Sequence, residues 1–320
     1  MFNQIKEFFR VIGELRYLIP VLRYKFPDPE DNASLAHSFQ QTTTKFSDRP
    51  FLYFEEGTWT YDQTNKSSNS LARYLAGSGV KHGDRVILFM ENRPDFVISL
   101  LALNKIGAIA VLINTSLTGD PLVHCINSSD SIKCIFGAER SAPLEDVLDQ
   151  INVVKQEDFL WVEDTPNYSL PDWAIDLKAQ IDFTDDQDLD ETNSVKAKDV
   201  ACYIFTSGTT GKPKGVLHGI GGYLTHLHST YKWAFDIKDE DVYFCTADIG
   251  WVTGHSYVVY GPLLHGATQV MYEGAPDYPD SSRMWDIIQK YGVTIFYTTP
   301  TALRMLMKFG DDIPNSFNLL

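Results

Sequence analysis

Residues 86–113 constrain the fold more than any other stretch of this chain. Val86 to Met90 is an apolar run of strand length, and Pro94 suits the first turn of a helix that continues to Ile106. Gly107 ends that helix, and Ala108 to Ile113 returns to a strand. Strand, helix and strand in this order form a βαβ unit, whose right-handed crossover implies parallel pairing.

The alternation continues on both sides. Phe51 to Phe54 and Thr58 to Tyr61 flank Glu55-Glu56-Gly57 as a hairpin, and Asp62 is placed to cap a helix running toward Gly77. Val242 to Thr246, Thr268 to Tyr272 and Val293 to Tyr297 read as strands, with Ser256 to Leu264 between the first two. Met284, Ile287, Ile288 and Tyr291 mark one helical face, and Thr301 is expected to cap a final helix through Met307. Asp182, Asp185, Asp186, Asp188, Asp190 and Glu191 crowd a stretch with little apolar content, which reads as an exposed linker. The expected class is α/β, with two parallel-sheet-containing lobes at 45–180 and 200–320, an acidic linker at 181–199 and an amphipathic helix at 1–25. The 320 residues, 44% hydrophobic, suffice for a sizeable core.

The chemistry concentrates in Thr206-Ser207-Gly208-Thr209-Thr210-Gly211-Lys212-Pro213-Lys214-Gly215, directly after the strand-like Ala201 to Phe205. Glycines let backbone N–H groups close on an anion, hydroxyls add donors and two lysines add charge, as a triphosphate requires. The loop is not a Walker A motif: five positions after Gly208 stands Pro213, and five after Gly211 stands Val216, where that pattern demands its second glycine. Pro213 also pushes Lys212 out of helical geometry. The alternative is a plain polar hairpin turn.

A net charge of −15 argues against nonspecific nucleic-acid binding, so an anionic nucleotide needs a local basic patch, which Lys212 and Lys214 can provide. Cys125, Cys134, Cys202 and Cys245 form no CxxC pair or Cys/His cluster, so no metal site is expected and a reducing cytoplasm is the default location. His226 and His228 would point to different faces of a helix and read as surface or packing residues. In residues 1–25 apolar and basic residues interleave, which excludes a membrane span and disfavours a signal peptide. A basic helix lying on an anionic membrane and a helix docked on the protein's own core both remain open. Asp248 to His255, after a strand end, has the character of a site wall: Trp251 can close an apolar pocket with the Thr253 hydroxyl near its mouth, or simply pack a turn.

From Tyr203 to Gly215 the chain resembles the signature loop of the AMP-forming acyl-CoA synthetases of the adenylate-forming superfamily. The resemblance implies that Thr206, Ser207, Gly208, Thr209, Thr210, Gly211, Lys212 and Lys214 contact ATP phosphates. It also implies that a carboxylic acid is activated as acyl-adenylate, and that ATP, CoA and Mg2+ take part, although no Mg2+ ligand is found in the sequence. Cys245 to Gly266 is similar to acetyl-CoA and propionyl-CoA synthetases, in which Trp251, Val252 and Thr253 would border the acyl and pantetheine region. The similarity runs on through Tyr272-Glu273-Gly274, Tyr278-Pro279-Asp280 and Ile295 to Thr301, and implies a lining role for Thr299, Pro300 and Thr301.

The first lobe resembles the very-long-chain acyl-CoA synthetases, or fatty-acid transport proteins, at Met90 to Phe96, Ile113 to Leu117 and Phe136 to Glu139. Those proteins often associate with membranes, which would suit residues 1–25. The pocket-side motif, nearer the chemistry, favours a short-chain acid. The paired arginines that hold the CoA nucleotide in acetyl-CoA synthetases are missing, with Arg140 alone nearby. The family's later motifs, including its catalytic lysine, do not occur before Leu320. The sequence therefore implies an incomplete adenylation domain, which a complementing C-terminal chain would complete. The other readings are a non-catalytic nucleotide- or acyl-binding module and a fatty-acid uptake protein at a membrane.

Overall fold

The computed structural model of the chain describes residues 24–164, 167–181, 185–206, 211–310 and 312–317. The helix expected at 1–25 lies outside them except for its last two residues. The strands are β1 (Pro50–Phe54), β2 (Gly57–Thr60), β3 (Arg85–Phe89), β4 (Ile109–Leu112), β5 (Lys133–Gly137) and β6 (Phe159–Val162). They continue as β7 (Ile175–Asp176), β8 (Val200–Thr206), β9 (Lys214–Gly219), β10 (Val242–Cys245), β11 (Thr268–Met271) and β12 (Ile295–Tyr297).

The expected βαβ unit is present. β3 and β4 pair in parallel, with Ile87 opposite Val111, and are joined by the Pro94–Lys105 helix with Pro94 in its first turn. Gly107 follows in a left-handed conformation, φ 68°, where a side chain would be strained. Every residue of β4 and β5 is buried, because helices cover both faces of a parallel sheet; the one charged side chain among them, Lys133 at the start of β5, is paired with Asp158.

The strands form two sheets, ordered β7-β6-β5-β3-β4-β8-β9 and β12-β10-β11-β1-β2. This corrects the division into lobes at 45–180 and 200–320, because each sheet draws strands from both halves. β1 pairs in parallel with β11, Tyr53 opposite Val270, and β4 pairs in parallel with β8, Val111 opposite Tyr203. One hydrophobic core runs from Leu35 to Met271 through both.

The acidic linker is also corrected in part. Asp188 accepts hydrogen bonds from Asn65 Nδ2 at 2.8 Å and Asn69 Nδ2 at 3.1 Å, and Leu189 is buried. Arg73 donates to the carbonyls of Gln187 and Asp188. The two asparagines, on the Tyr61–Gly77 helix, also accept from the buried Lys105 ammonium. Burial lowers the Lys105 pKa to about 7, opposed by the Asp188 carboxylate. The segment is thus anchored through Leu189 and the hydrogen bonds of Asp188 to a buried polar cluster, although Asp185, Asp188, Asp190 and Glu191 are exposed.

Two caps differ from expectation. Thr60, not Asp62, starts the Tyr61–Gly77 helix, and its reciprocal bonds with Gln63 complete a capping box. Thr299, not Thr301, caps Pro300–Leu306 by accepting from Ala302 N. The four cysteines are free and buried. Burial pushes the Cys125 and Cys202 thiols up to about 12, which leaves them inert. Among the described residues no helix is long and apolar enough to cross a membrane.

Candidate active site

The loops that leave the C-terminal ends of the parallel strands of both sheets converge, the usual place for a ligand in open α/β sheets. From the seven-stranded sheet come Glu91, Asn92 and Arg93 after β3, Asn114 to Ser116 after β4, Glu139 after β5 and the hairpin loop after β8. From the five-stranded sheet come Asp248 to Thr253 after β10, Glu273 and Gly274 after β11 and Thr298 to Thr301 after β12.

The phosphate-loop candidate is the connection of an antiparallel hairpin, with Thr206 opposite Lys214 at its mouth. The Thr206 hydroxyl donates to the Lys214 carbonyl at 3.3 Å. Thr206, Gly211, Lys212 and Lys214 are exposed, whereas Ser207, Gly208, Thr209 and Thr210 lie outside the described residues. The plain hairpin and the anion cradle are therefore compatible descriptions of the same loop. Two contacts fix its base. His124 Nε2 donates to the Pro213 carbonyl at 3.0 Å. Gly215 lies so close beneath the Tyr203 ring that a Cβ there would come within 2.1 Å of it.

Val252 shares a pocket of about 500 Å³ with His218 and Gly219 of β9, with Gly222, Tyr223 and His226 of the Ile220–Ser229 helix, and with Ser256. The strand that carries Lys214 and the segment that carries Val252 thus both border one space. The Tyr223 hydroxyl meets Ser256 Oγ at 2.8 Å, a buried bond between two of its lining residues. Trp251 is 55% exposed, beside the half-exposed Val252. His255, three residues further on, is wholly buried against Phe96. Burial lowers its pKa to about 3, so it remains neutral and packs.

Thr299, Pro300 and Thr301 do not line the pocket with Val252. They are exposed at the start of the helix after β12. The parallel pairing of β12 with β10 and the contact between Thr246 and Thr298 hydroxyls at 2.5 Å hold them next to the end of β10. His228 is a packing residue as expected, stacked between Tyr24 and His265, while His226 lines the pocket.

The residues after β3 were quoted in the sequence for their resemblance and not as part of a site. Asn92 accepts from Ile249 N at 2.9 Å and donates to Ala247 O at 3.3 Å. The buried Arg93 guanidinium reaches Asp164 at 2.7 Å, Glu139 at 3.5 Å and Glu273 at 3.8 Å, drawing together the ends of β6, β5 and β11. Glu273 carries a pKa raised to about 7 by burial, against the lowering pull of Arg93. The signal available in sequence was position: polar residues directly after an apolar parallel strand point into the crevice.

Residues 39–317 match the family model for AMP-binding enzymes. The chain is 42% identical over 281 residues to an acetyl-coenzyme A synthetase of Pyrobaculum aerophilum, covering 81% of this chain and 40% of that protein. It is 42% identical over 288 residues to an acetyl-coenzyme A synthetase of Streptomyces coelicolor, covering 85% of this chain and 44% of the relative. The chain thus spans less than half the length of these relatives. Among solved structures, the acetoacetyl-CoA synthetase from Streptomyces lividans superposes with a TM-score of 0.81 at 21% identity, over 89% of this chain and 45% of that one. The anthranilate CoA ligase AuaEII in complex with anthranoyl-AMP gives 0.79 at 21% identity, over 92% and 54%. At that identity the structural likeness establishes the fold, an α/β architecture of parallel-containing sheets. With the family model spanning most of its length, the chain belongs to the AMP-binding enzyme family.

Proposed function

We propose that the chain carries the ATP- and acid-binding part of an AMP-forming carboxylate–CoA ligase acting on a short-chain acid. The observation that supports this reading best is the pocket whose walls are β9, continuous with the phosphate hairpin, and Val252. An acid seated there would lie beside a nucleotide whose phosphates are held by Thr206 to Lys214. In the reaction a carboxylate oxygen of the acid attacks the α-phosphorus and the bond to the bridging oxygen breaks. Pyrophosphate leaves, and a mixed anhydride of the acid and AMP remains.

The chain's own groups fit the first substrate. Lys212 and Lys214 are exposed cations at the hairpin, and a glycine-rich backbone with hydroxyls surrounds them. Their contribution is to position and neutralise the phosphates as charge moves onto pyrophosphate. Trp251, Val252 and Thr253 would wall the acyl side, with Thr299, Pro300 and Thr301 on the rim. Among the described residues no group of three or more His, Cys, Asp or Glu side chains is placed to hold a metal ion; Mg2+ would enter on the nucleotide's phosphates. The CoA nucleotide does not fit Arg140, whose guanidinium is already committed to Glu91 and, at 2.8 Å, to the Thr115 carbonyl.

ATP–pyrophosphate exchange, with acetate, propionate and a long-chain fatty acid supplied separately, tests the reading. Exchange with acetate or propionate supports it, and exchange with the fatty acid alone replaces the short-chain assignment. Folded protein that binds neither ATP nor a stable acyl-adenylate mimic would overturn it.

A further inference from the structure

Asn92 sits on the turn between β3 and the Pro94–Lys105 helix, is buried, and bonds entirely with the other sheet. Its Oδ1 accepts from Ile249 N at 2.9 Å and its Nδ2 donates to Ala247 O at 3.3 Å. The two bonds straddle Asp248 and hold the backbone that leads into Trp251, Val252 and Thr253.

That backbone has little slack beyond the clasp. Gly250 N donates to Asp248 Oδ1 at 2.5 Å. A Cβ on Gly254 would lie 2.0 Å from the Asp248 carbonyl oxygen, and one on Gly250 would lie 3.2 Å from Asn114 Oδ1. The tight turn therefore moves as a unit, and Asn92 ties the unit to β3. The phosphate hairpin is held by other means, namely its pairing with β4 through β8 and the contact of Pro213 with His124.

We propose that Asn92 is a positioning residue that sets the distance of the acyl wall from the phosphate hairpin. The proposal rests on the acid–CoA ligase reading. Without the Asn92 amide, Ile249 N and Ala247 O lose their partners in a buried place. The wall drifts while the hairpin stays, so binding that spans both halves of an acyl-adenylate suffers and binding of ATP alone does not.

The test titrates the wild type, Asn92→Ala and Asn92→Asp with ATP and with propionyl-sulfamoyl-adenosine, a stable mimic of the adenylate, and follows hydrogen exchange of residues 247–255. Asn92→Ala is expected to weaken the mimic by about tenfold, leave ATP affinity within about twofold and speed exchange at Ile249. Asn92→Asp keeps an acceptor for Ile249 N and loses the donor to Ala247, so it should preserve protection at Ile249 and bind the mimic with intermediate affinity. Undiminished mimic binding by Asn92→Ala overturns the proposal. Parallel loss of ATP and mimic in both variants also overturns it, since that marks a general role in stability. A wild type that binds ATP but not the mimic brings down the ligase reading itself, and the proposal with it.

Discussion

The centre and the margin of the seven-stranded sheet differ in how each residue is spent. β4 and β5 are buried throughout. β9, at the edge, has no fully buried residue and exposes Val216 and Leu217. Covered on both faces, the centre is a floor from which Asn92, Asn114 and Glu139 can be aimed at fixed positions. The margin gives up packing and leaves the Lys214 strand open to solvent, as the proposed phosphate site requires. Buried and open strands thus come from one sheet.

The largest break in that contrast should come from Phe136→Ala on β5, where a wholly buried ring is removed; a loss of about 3–5 kcal/mol in urea unfolding is expected. Gly254→Ala comes next, because its Cβ would meet the Asp248 backbone, and main chain yields less readily than a side chain. About 1–3 kcal/mol of destabilisation is expected, with the damage read by hydrogen exchange in residues 247–255. Lys212→Ala should leave thermal unfolding unchanged and weaken ATP binding by about tenfold in calorimetry, as for one lost charge-assisted contact.

Glu273→Gln sharpens the comparison through pH. With a folded pKa near 7 against 4.5 unperturbed, this carboxyl contributes stability that is full below pH 4.5 and lost as pH rises through 7. The variant should flatten that part of a melting-temperature profile, and an unchanged slope would refute the assignment. Leu217→Ala on β9 should be the mildest, within about 0.5 kcal/mol in the same urea experiment, because its side chain is already half in water.

What could be read in sequence was local. The run from Val86 to Ile113 states its own topology, since Pro94 and Gly107 punctuate it and apolar strands flank it. The hairpin at Glu55-Glu56-Gly57 does the same. The pairing of Tyr53 with Val270 leaves no comparable trace, because a strand carries no mark of which distant strand it will join. The anchoring of Asp188 is hidden for the same reason: its partners Asn65 and Asn69 lie on a helix far upstream. At the site, the hairpin stands out in sequence by its chemistry, and its phosphate role is the proposal made above. Asn92 and Arg93 show in sequence only their place after an apolar strand, because their contacts exist only once two sheets meet.

The interleaved strands also set a timetable for synthesis. β1 and β2 leave the ribosome long before β11, so Phe51 and Leu52, wholly buried in the finished sheet, must wait for their parallel neighbour. At roughly 5–20 residues per second that wait is on the order of ten seconds or more. Meanwhile an apolar hairpin is open to any passing strand edge. The β3–β4–β5 floor can assemble within that interval and give the nascent hairpin an apolar surface to rest against. A chaperone's hold on this chain would accordingly be needed most before β11 emerges, and ribosome-bound chains stopped on either side of Thr268 would differ sharply in their resistance to protease at Phe51 to Phe54.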